Sequence, residues 1–444
     1  MSNPTHRLQG LLPGLVEAVG QIDLHPVHGR LREIRGVVVR ASLPSARIGE
    51  LCLLRDPAGQ RMVPAEVIGL TGDEAILAPI GDLDGMSVHT QVLASGDALR
   101  VPVGAAMLGR VVDPLGRLLD NGPALPPDTP MRSVHAAPPH PLERTRIAHP
   151  LRLGVRAIDG LLTVARGQRI GLFGEAGVGK SSLLASLVTG TEADVIVIGL
   201  IGERGREVRE FVEVHLDDAA RARSVTVMAT SDRPAMERVK AAYTATTIAE
   251  HFRDQGRHVL LVLDSITRFA RAQRELGLAA GEPPTRRGYP PSFFAALPRL
   301  LERAGTGRRG SITALYTVLT EGDGAQDPVA EEVKSILDGH LMLSPDLAQR
   351  NHFPAIDVLR SRSRLMDAVA SAEHRRLAAA VRDHMAAYQE IELLIRIGEY
   401  AAGADTRADA AVARRAVIDA FLRQPSGEVS GFENTVSRMR AIVA

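Results

Sequence analysis

Gly174-Glu175-Ala176-Gly177-Val178-Gly179-Lys180-Ser181 fits the pattern G-x-x-x-x-G-K-[ST] and stands between an apolar strand read over Gly167–Phe173 and a helix starting near Lys180. Glycines let backbone N–H groups close around phosphate oxygens, and the N-terminus of the following helix adds its partial positive charge. The segment Gly174–Ser182 is therefore the expected phosphate cradle, with Glu175, Ala176, Val178 and Ser182 carried in it. In this reading Lys180 reaches the outer phosphates and the Ser181 hydroxyl ligates Mg²⁺. An incidental glycine-rich turn is the competing explanation, but the strand–loop–helix context opposes it. Only three of the 53 basic residues are lysines, and one of them is Lys180. A compact point charge is required there, and the planar fork of arginine does not supply it.

Outward from this loop the chain alternates strands and helices. Val195–Ile201, Ser224–Ala229, Val259–Asp264 and Ser311–Leu319 read as buried strands, and Met236–Gln255 and Ser292–Ala304 as helices. That rhythm predicts an α/β core with a parallel sheet covered on both faces. On the N-terminal side, Leu31–Ala41, Glu50–Arg55, Met62–Leu70 and Ala75–Pro79 read as short β segments separated by turns at Asp56-Pro57-Ala58-Gly59 and Thr71-Gly72-Asp73, which suggests a small antiparallel barrel or sandwich. Pro123–Pro141 is proline-rich and reads as an extended surface connector. Beyond Leu365 only helices are expected, over Ala372–Ile395, Asp409–Leu422 and Glu433–Val443. The expected domains are a β-barrel over 1–95, a nucleotide-binding core over 96–365 and a helical domain over 366–444.

Composition limits the classes of function. The chain has 444 residues, enough for roughly two to four domains. With 53 Lys+Arg against 52 Asp+Glu there is no whole-chain charge to hold nucleic acid or a membrane surface. The single Cys52 cannot form an internal disulfide, and no apolar run approaches the ~18 residues of a spanning helix. The N-terminus lacks a basic head, an apolar core and a cleavage site, so no signal peptide is expected and a cytosolic protein is the starting point.

Two further stretches narrow the chemistry. Leu260-Leu261-Val262-Leu263-Asp264 is an aliphatic strand ending in an acid, the form of a metal-holding carboxylate beside a phosphate loop, although such an acid is also a common helix cap. Gly202-Glu203-Arg204-Gly205-Arg206-Glu207 follows the strand Val195–Ile201. A carboxylate there can activate water facing a γ-phosphate, and a neighbouring arginine can hold transferred charge. A merely solvated charged loop is the alternative.

Taken together, the loop, the Gly-Glu-Arg tract and Asp264-Ser265-Ile266-Thr267-Arg268-Phe269 resemble the RecA-like core of rotary ATP synthase β subunits and of the ATPases of type III protein export. Val101-Pro102-Val103-Gly104 with Leu108–Gly122, Tyr289–Gly305, Glu321–Ser344 and His352–Leu359 favour export. Pro79–Gly85 and Gly398-Glu399-Tyr400, with Phe421-Leu422-Arg423-Gln424, look more like the injectisome branch than the flagellar one. The resemblance implies ATP and Mg²⁺ as substrate and cofactor, with Lys180 and Ser181 at the phosphates and the metal, and Asp264 as the metal-site acid. It makes Glu203 the catalytic base and places Arg204 and Arg268 at the γ-phosphate. It assigns Phe353 and Tyr400 to the two aromatic positions bracketing adenine, though both are also compatible with ordinary core roles. Arg364 matches an arginine finger inserted into a neighbour's site, with Arg362 in Ser361-Arg362-Ser363-Arg364 as the competing candidate. Gly324 and Pro345 depart from the usual acid and the usual basic residue.

The same resemblance implies a homohexamer, peripheral association with the inner-membrane secretion apparatus, and stator and central-stalk partners. It also implies an export gate and chaperone–effector complexes as cargo. A rotary-synthase subunit and a hexameric RNA helicase are the alternatives. The helicase needs aromatics in its barrel to stack bases, and Leu31–Val92 contains no Phe, Tyr or Trp. No nucleic-acid partner is therefore expected.

Overall fold

The computed structural model describes residues 28–56, 61–320 and 327–444. Residues 57–59 of the expected turn at 56–59, Gly324 and the first 27 residues lie outside these. The chain divides into two units, Met1–Ala98 and Leu99–Ala444.

The first unit is a closed antiparallel barrel of six strands: His28–Arg35, Val38–Ser42, Glu50–Arg55, Met62–Thr71, Glu74–Pro79 and Gln91–Ala98. Alternate residues point inward, and Leu31, Val39, Ala41, Cys52, Leu54, Val67, Leu77 and Val92 fill the interior. Pairing of His28 with Leu93 closes the ring and removes the sheet edge. The segment read as one strand over Leu31–Ala41 is a hairpin, because Gly36 takes a φ of 59° and reverses the chain. The sixth strand, Gln91–Ala98, carries too many small and polar residues to announce itself in the sequence.

In the second unit a sheet is ordered Ile356–Ser363, Gly339–Leu343, Arg169–Gly174, Ser311–Leu319, His258–Asp264, Val195–Ile201, Ser224–Ala229 and Val111–Val112. Along this order every neighbouring pair is parallel except the first, in which Ile356–Ser363 runs antiparallel to Gly339–Leu343. The central strands are aliphatic and buried on both faces, as a doubly covered parallel sheet requires. The helices Ala235–Asp254, Ile266–Ala280 and Pro291–Leu301 agree with the expected pattern to within a few residues where one was assigned. The strands Gly339–Leu343 and Ile356–Ser363 were not foreseen.

The proline-rich connector is not wholly superficial. Its Met131–Ser133 pairs with Arg100–Pro102, and Val134 is fully buried with its carbonyl accepting from Arg303 at 2.8 Å. Arg303 in turn is paired with buried Glu250 at 2.6 Å, so the connector's end is fixed by a satisfied internal ion pair.

After the short helix Met366–Val369, three longer helices follow the sheet: Ala372–Arg396, Thr406–Leu422 and Phe432–Val443. Ser371 and Asp405 cap the first two through backbone N–H groups. The last two pack on the short helix Arg156–Leu161, where a Cβ at Gly160 would lie 2.9 Å from Met439 Sδ and 3.2 Å from Phe421 Cζ. No helix among the described residues is long and apolar enough to cross a membrane.

Candidate active site

Parallel strands bring their C-terminal ends to one edge of the sheet, and the sequence places its chemistry there. Arg169–Gly174 runs into the loop and then the helix Lys180–Gly190. Gly177 and Gly179 take φ values of 84° and 87°, a region that side chains other than glycine enter at a cost. A Cβ at Gly179 would also lie 3.1 Å from Phe353 Cε1. Gly179→Ala should therefore strain the loop by about 1–2 kcal/mol. Titration calorimetry should show MgATP bound about 5–30-fold more weakly; unchanged affinity would mean that the loop does not need this backbone.

The helix Lys180–Gly190 sends Lys180 Nζ to Asp264 Oδ1 at 2.5 Å and to within 3.8 Å of Glu203 Oε1. Asp264 ends the strand His258–Asp264, and its Oδ1 also accepts from Thr317 Oγ1 at 2.6 Å. The Asp264 carboxylate is thus clamped between a lysine on one strand's loop and a threonine on the intervening strand. The peptide bonds Asp264–Ser265 and Phe353–Pro354 are cis.

Glu203 lies two residues past Val195–Ile201. Its loop is pinned by Gly202 N–H to the Ala229 carbonyl at 2.6 Å and by Ser231 N–H to the Glu203 carbonyl at 3.0 Å. Gly202 must be glycine because a Cβ there would meet Arg268 Cβ at 2.9 Å. Glu203 Oε1 is buried and makes no hydrogen bond. Burial, and then the negative charge of Asp264, hold this carboxyl above the usual glutamate range; Lys180 and Arg268 pull the other way. Arg268 Nε is likewise buried without a hydrogen-bond partner. An unbonded carboxylate oxygen, with the unbonded guanidinium nitrogen of Arg268 close enough to act on its charge, is an arrangement suited to a substrate that is both anionic and accompanied by water.

A cavity of 540 Å³ adjoins the loop, lined by Gly177, Gly179, Ser182, Phe353, Gln424 and Ser426 among others. Phe353 supplies its aromatic face. Tyr400 does not line it: its hydroxyl donates to Asp409 Oδ1 at 2.6 Å within the turn before Thr406–Leu422. The facing wall is instead the segment around Arg423–Glu428, for which the sequence suggested no part in the site. Arg204 is exposed and pairs with Glu207 at 3.6 Å, away from Lys180. Arg362 and Arg364 are also exposed, at the end of Ile356–Ser363. That strand is antiparallel, so they sit at the opposite edge of the sheet from the loop. The structure thus brings together Lys180, Glu203, Asp264 and Arg268, with Phe353 beside the loop, and leaves Arg204, Tyr400 and Arg364 outside.

Among the described residues no group of three His, Cys, Asp or Glu is placed to hold a metal by itself. The donors present, the Ser181 hydroxyl and the Asp264 carboxylate, are hard oxygens of the kind Mg²⁺ takes when substrate phosphates and water complete its shell.

Comparison with known proteins agrees with this geometry. Residues 154–363 match the nucleotide-binding domain of the ATP synthase alpha/beta family, 32–96 its beta-barrel domain, and 370–441 the T3SS EscN ATPase C-terminal domain. A type 3 secretion system ATPase of Sinorhizobium fredii is 53% identical over 437 residues, covering 98% of this chain and 97% of that protein. The assembled ATPase EscN of enteropathogenic E. coli superposes with a TM-score of 0.89 at 50% identity, covering 94% of this chain and all of that one. EscN in complex with its central stalk EscO gives 0.85 at 49% identity over the same shares. With full-length identity at this level, a shared three-part architecture and a phosphate loop facing a buried carboxylate, the chain belongs to the type 3 secretion system ATPases.

Proposed function

We propose that this ATPase hydrolyses MgATP at a site whose phosphate end is Gly174–Ser182 and whose base is Glu203. The observation that carries the reading is the Glu203 carboxylate: buried, unbonded at Oε1, and 3.8 Å from the Lys180 ammonium. ATP enters with its triphosphate on the loop. Lys180 exchanges its contact with Asp264 for the outer phosphates, and Arg268, whose Nε lacks a partner, turns toward the γ-phosphate. Glu203 takes a proton from a water in line with the leaving group. Ser181 and Asp264 would hold Mg²⁺, which supplies charge neutralisation at the phosphate oxygens when bound. Phe353 packs against the adenine in the adjoining cavity.

Among the described residues, the site of one chain brings a single arginine, Arg268, toward the transferring phosphoryl group, and Arg364 is exposed at the far edge of the sheet. Both features support a ring of six copies, each lending Arg364 to the next, with a central stalk as in the EscN–EscO complex and with stator, chaperone–effector and export-gate partners at the inner membrane. Arg204, also exposed, would turn inward only at such an interface. Specific ATPase activity should then be near zero in dilute protein and rise steeply with concentration, in step with ring mass followed by light scattering. Constant specific activity in confirmed monomers would overturn the reading.

A further inference from the structure

The cavity beside the phosphate loop has walls of different origin. Phe353 and the loop lie in connections that enter or leave strands of the sheet, whereas Arg423, Gln424, Pro425, Ser426 and Glu428 belong to the link between the helices Thr406–Leu422 and Phe432–Val443. That link contains no helix or strand to hold its shape. Two side chains do so. Arg156, at the start of the short helix Arg156–Leu161, is almost fully buried, and its Nε donates to the Phe421 carbonyl at 2.8 Å. Its terminal nitrogens donate to the Arg423 carbonyl and to the Glu428 carboxylate. Its backbone N–H donates to Gln424 Oε1 at 2.9 Å.

Gln424 completes the clamp. Its Nε2 donates to the Gly154 carbonyl at 2.7 Å and to the Glu428 carbonyl at 2.6 Å, and its own N–H donates to the Phe353 carbonyl at 2.9 Å. The amide is fully occupied in this way and has no donor left over for a base. Gln424 therefore presents shape rather than hydrogen-bond readout, and Arg156 braces that shape from behind.

We propose that Arg156 is a positioning residue that holds the 423–428 wall against the base side of the nucleotide cavity, so that affinity for the base, but not for the triphosphate, depends on the docking of the helical tail. This rests on reading the Phe353 cavity as the base site. Planar guanidinium geometry matters here, because three carbonyl or carboxylate acceptors in different directions suit a fork and not an ammonium.

The test is equilibrium binding, which needs no turnover. Titration calorimetry of MgATP and of magnesium tripolyphosphate compares the full chain with Arg156→Lys and Arg156→Ala. Both variants should bind MgATP on the order of tenfold more weakly, the scale of a single well-placed interaction with the base. Tripolyphosphate affinity should stay within about twofold. In steady state KM for ATP should rise with kcat held. Equal weakening of both ligands would indicate a merely structural role and overturn the proposal, as would no weakening of either. Should Arg156→Ala fail to fold, Arg156→Lys and Glu428→Gln, which removes one acceptor charge at a half-exposed position, carry the same comparison. Wild-type protein that binds tripolyphosphate as tightly as ATP would instead refute the base cavity itself, and the proposal with it.

Discussion

The Glu203→Gln protein should bind MgATP as well as wild type and turn it over about 10²–10⁴-fold more slowly, the usual contribution of a positioned general base. Glutamine keeps the volume and leaves the backbone anchors at Gly202 and Ser231 in place, but has no proton-accepting oxygen of comparable basicity. The raised proton affinity of Glu203, from burial and from Asp264, gives a second signature. Only the ionised carboxylate accepts a proton, so the wild-type rate should climb as pH rises through a value above the usual glutamate range. The residual rate of Glu203→Gln should lack that limb.

Stability carries the opposite sign. A carboxyl whose proton affinity is higher in the folded state stabilises the fold only while protonated, and that contribution is lost as pH rises through its raised value. At neutral pH the ionised Glu203 is therefore a cost, and Glu203→Gln should melt no lower than wild type by scanning fluorimetry. More than a tenth of wild-type turnover, or a clear loss of Tm with weakened binding, would remove Glu203 from the role of base.

How much of this was legible from residues alone follows from which forces are local. The placement of the phosphate loop, Asp264 and Glu203 at strand ends was readable, because the aliphatic strands that carry them are buried on both faces. The barrel was readable in outline, but the Gly36 reversal was hidden inside a stretch whose apolar residues are interspersed with charged ones on both sides of it. Gly339–Leu343 and Ile356–Ser363 were missed because one is short and the other ends in Arg-Ser-Arg-Ser. Their pairing is decided by the sheet and not by their own sequence.

The base-side wall was the least legible part. Tyr400 looked suitable as an aromatic in a chain poor in them, yet Asp409 holds its hydroxyl, and this bond pushes the phenol up to about 12. The residues that line the cavity on this side, Arg423, Gln424, Pro425, Ser426 and Glu428, are mostly polar and include no aromatic. They are held there by Arg156, more than two hundred and fifty positions earlier in the chain, which binds their backbone, and by Gln424 bonded to Gly154 and Phe353.

Removal of the Arg364 guanidinium should cost about 10³–10⁵ in kcat, or about 4–7 kcal/mol of barrier, while leaving nucleotide affinity intact. Gly339–Leu343 lies parallel to Arg169–Gly174, and Ile356–Ser363 returns antiparallel, pairing Ser363 with Gly339. Arg364 N–H donates to the Asp338 carbonyl, and Asp338 N–H donates to the carbonyl of Arg169, at the start of the strand whose other end is the phosphate loop. Six residues of strand separate the two edges by about 17 Å at ~3.3 Å per residue, so Arg364 cannot serve the loop of its own chain.

Arg362 and Arg364 share one face by strand alternation, and the burial-lowered imidazole of His340 is pushed further down by Lys334 and by both guanidiniums. Ser363 between them points inward, its hydroxyl donating to the Thr163 carbonyl at 2.8 Å. Either arginine is therefore presented outward, and alanine at each in turn identifies the one that acts. Arg364→Ala mixed with Lys180→Ala gives the decisive measurement. In a randomly mixed equimolar ring about one quarter of interfaces pair an intact loop with an intact finger, so activity should recover toward that fraction of wild type. Mixed rings of verified composition that stay inactive would mean that the arginine works within its own chain or not at all, and the sheet's geometry already forbids the former.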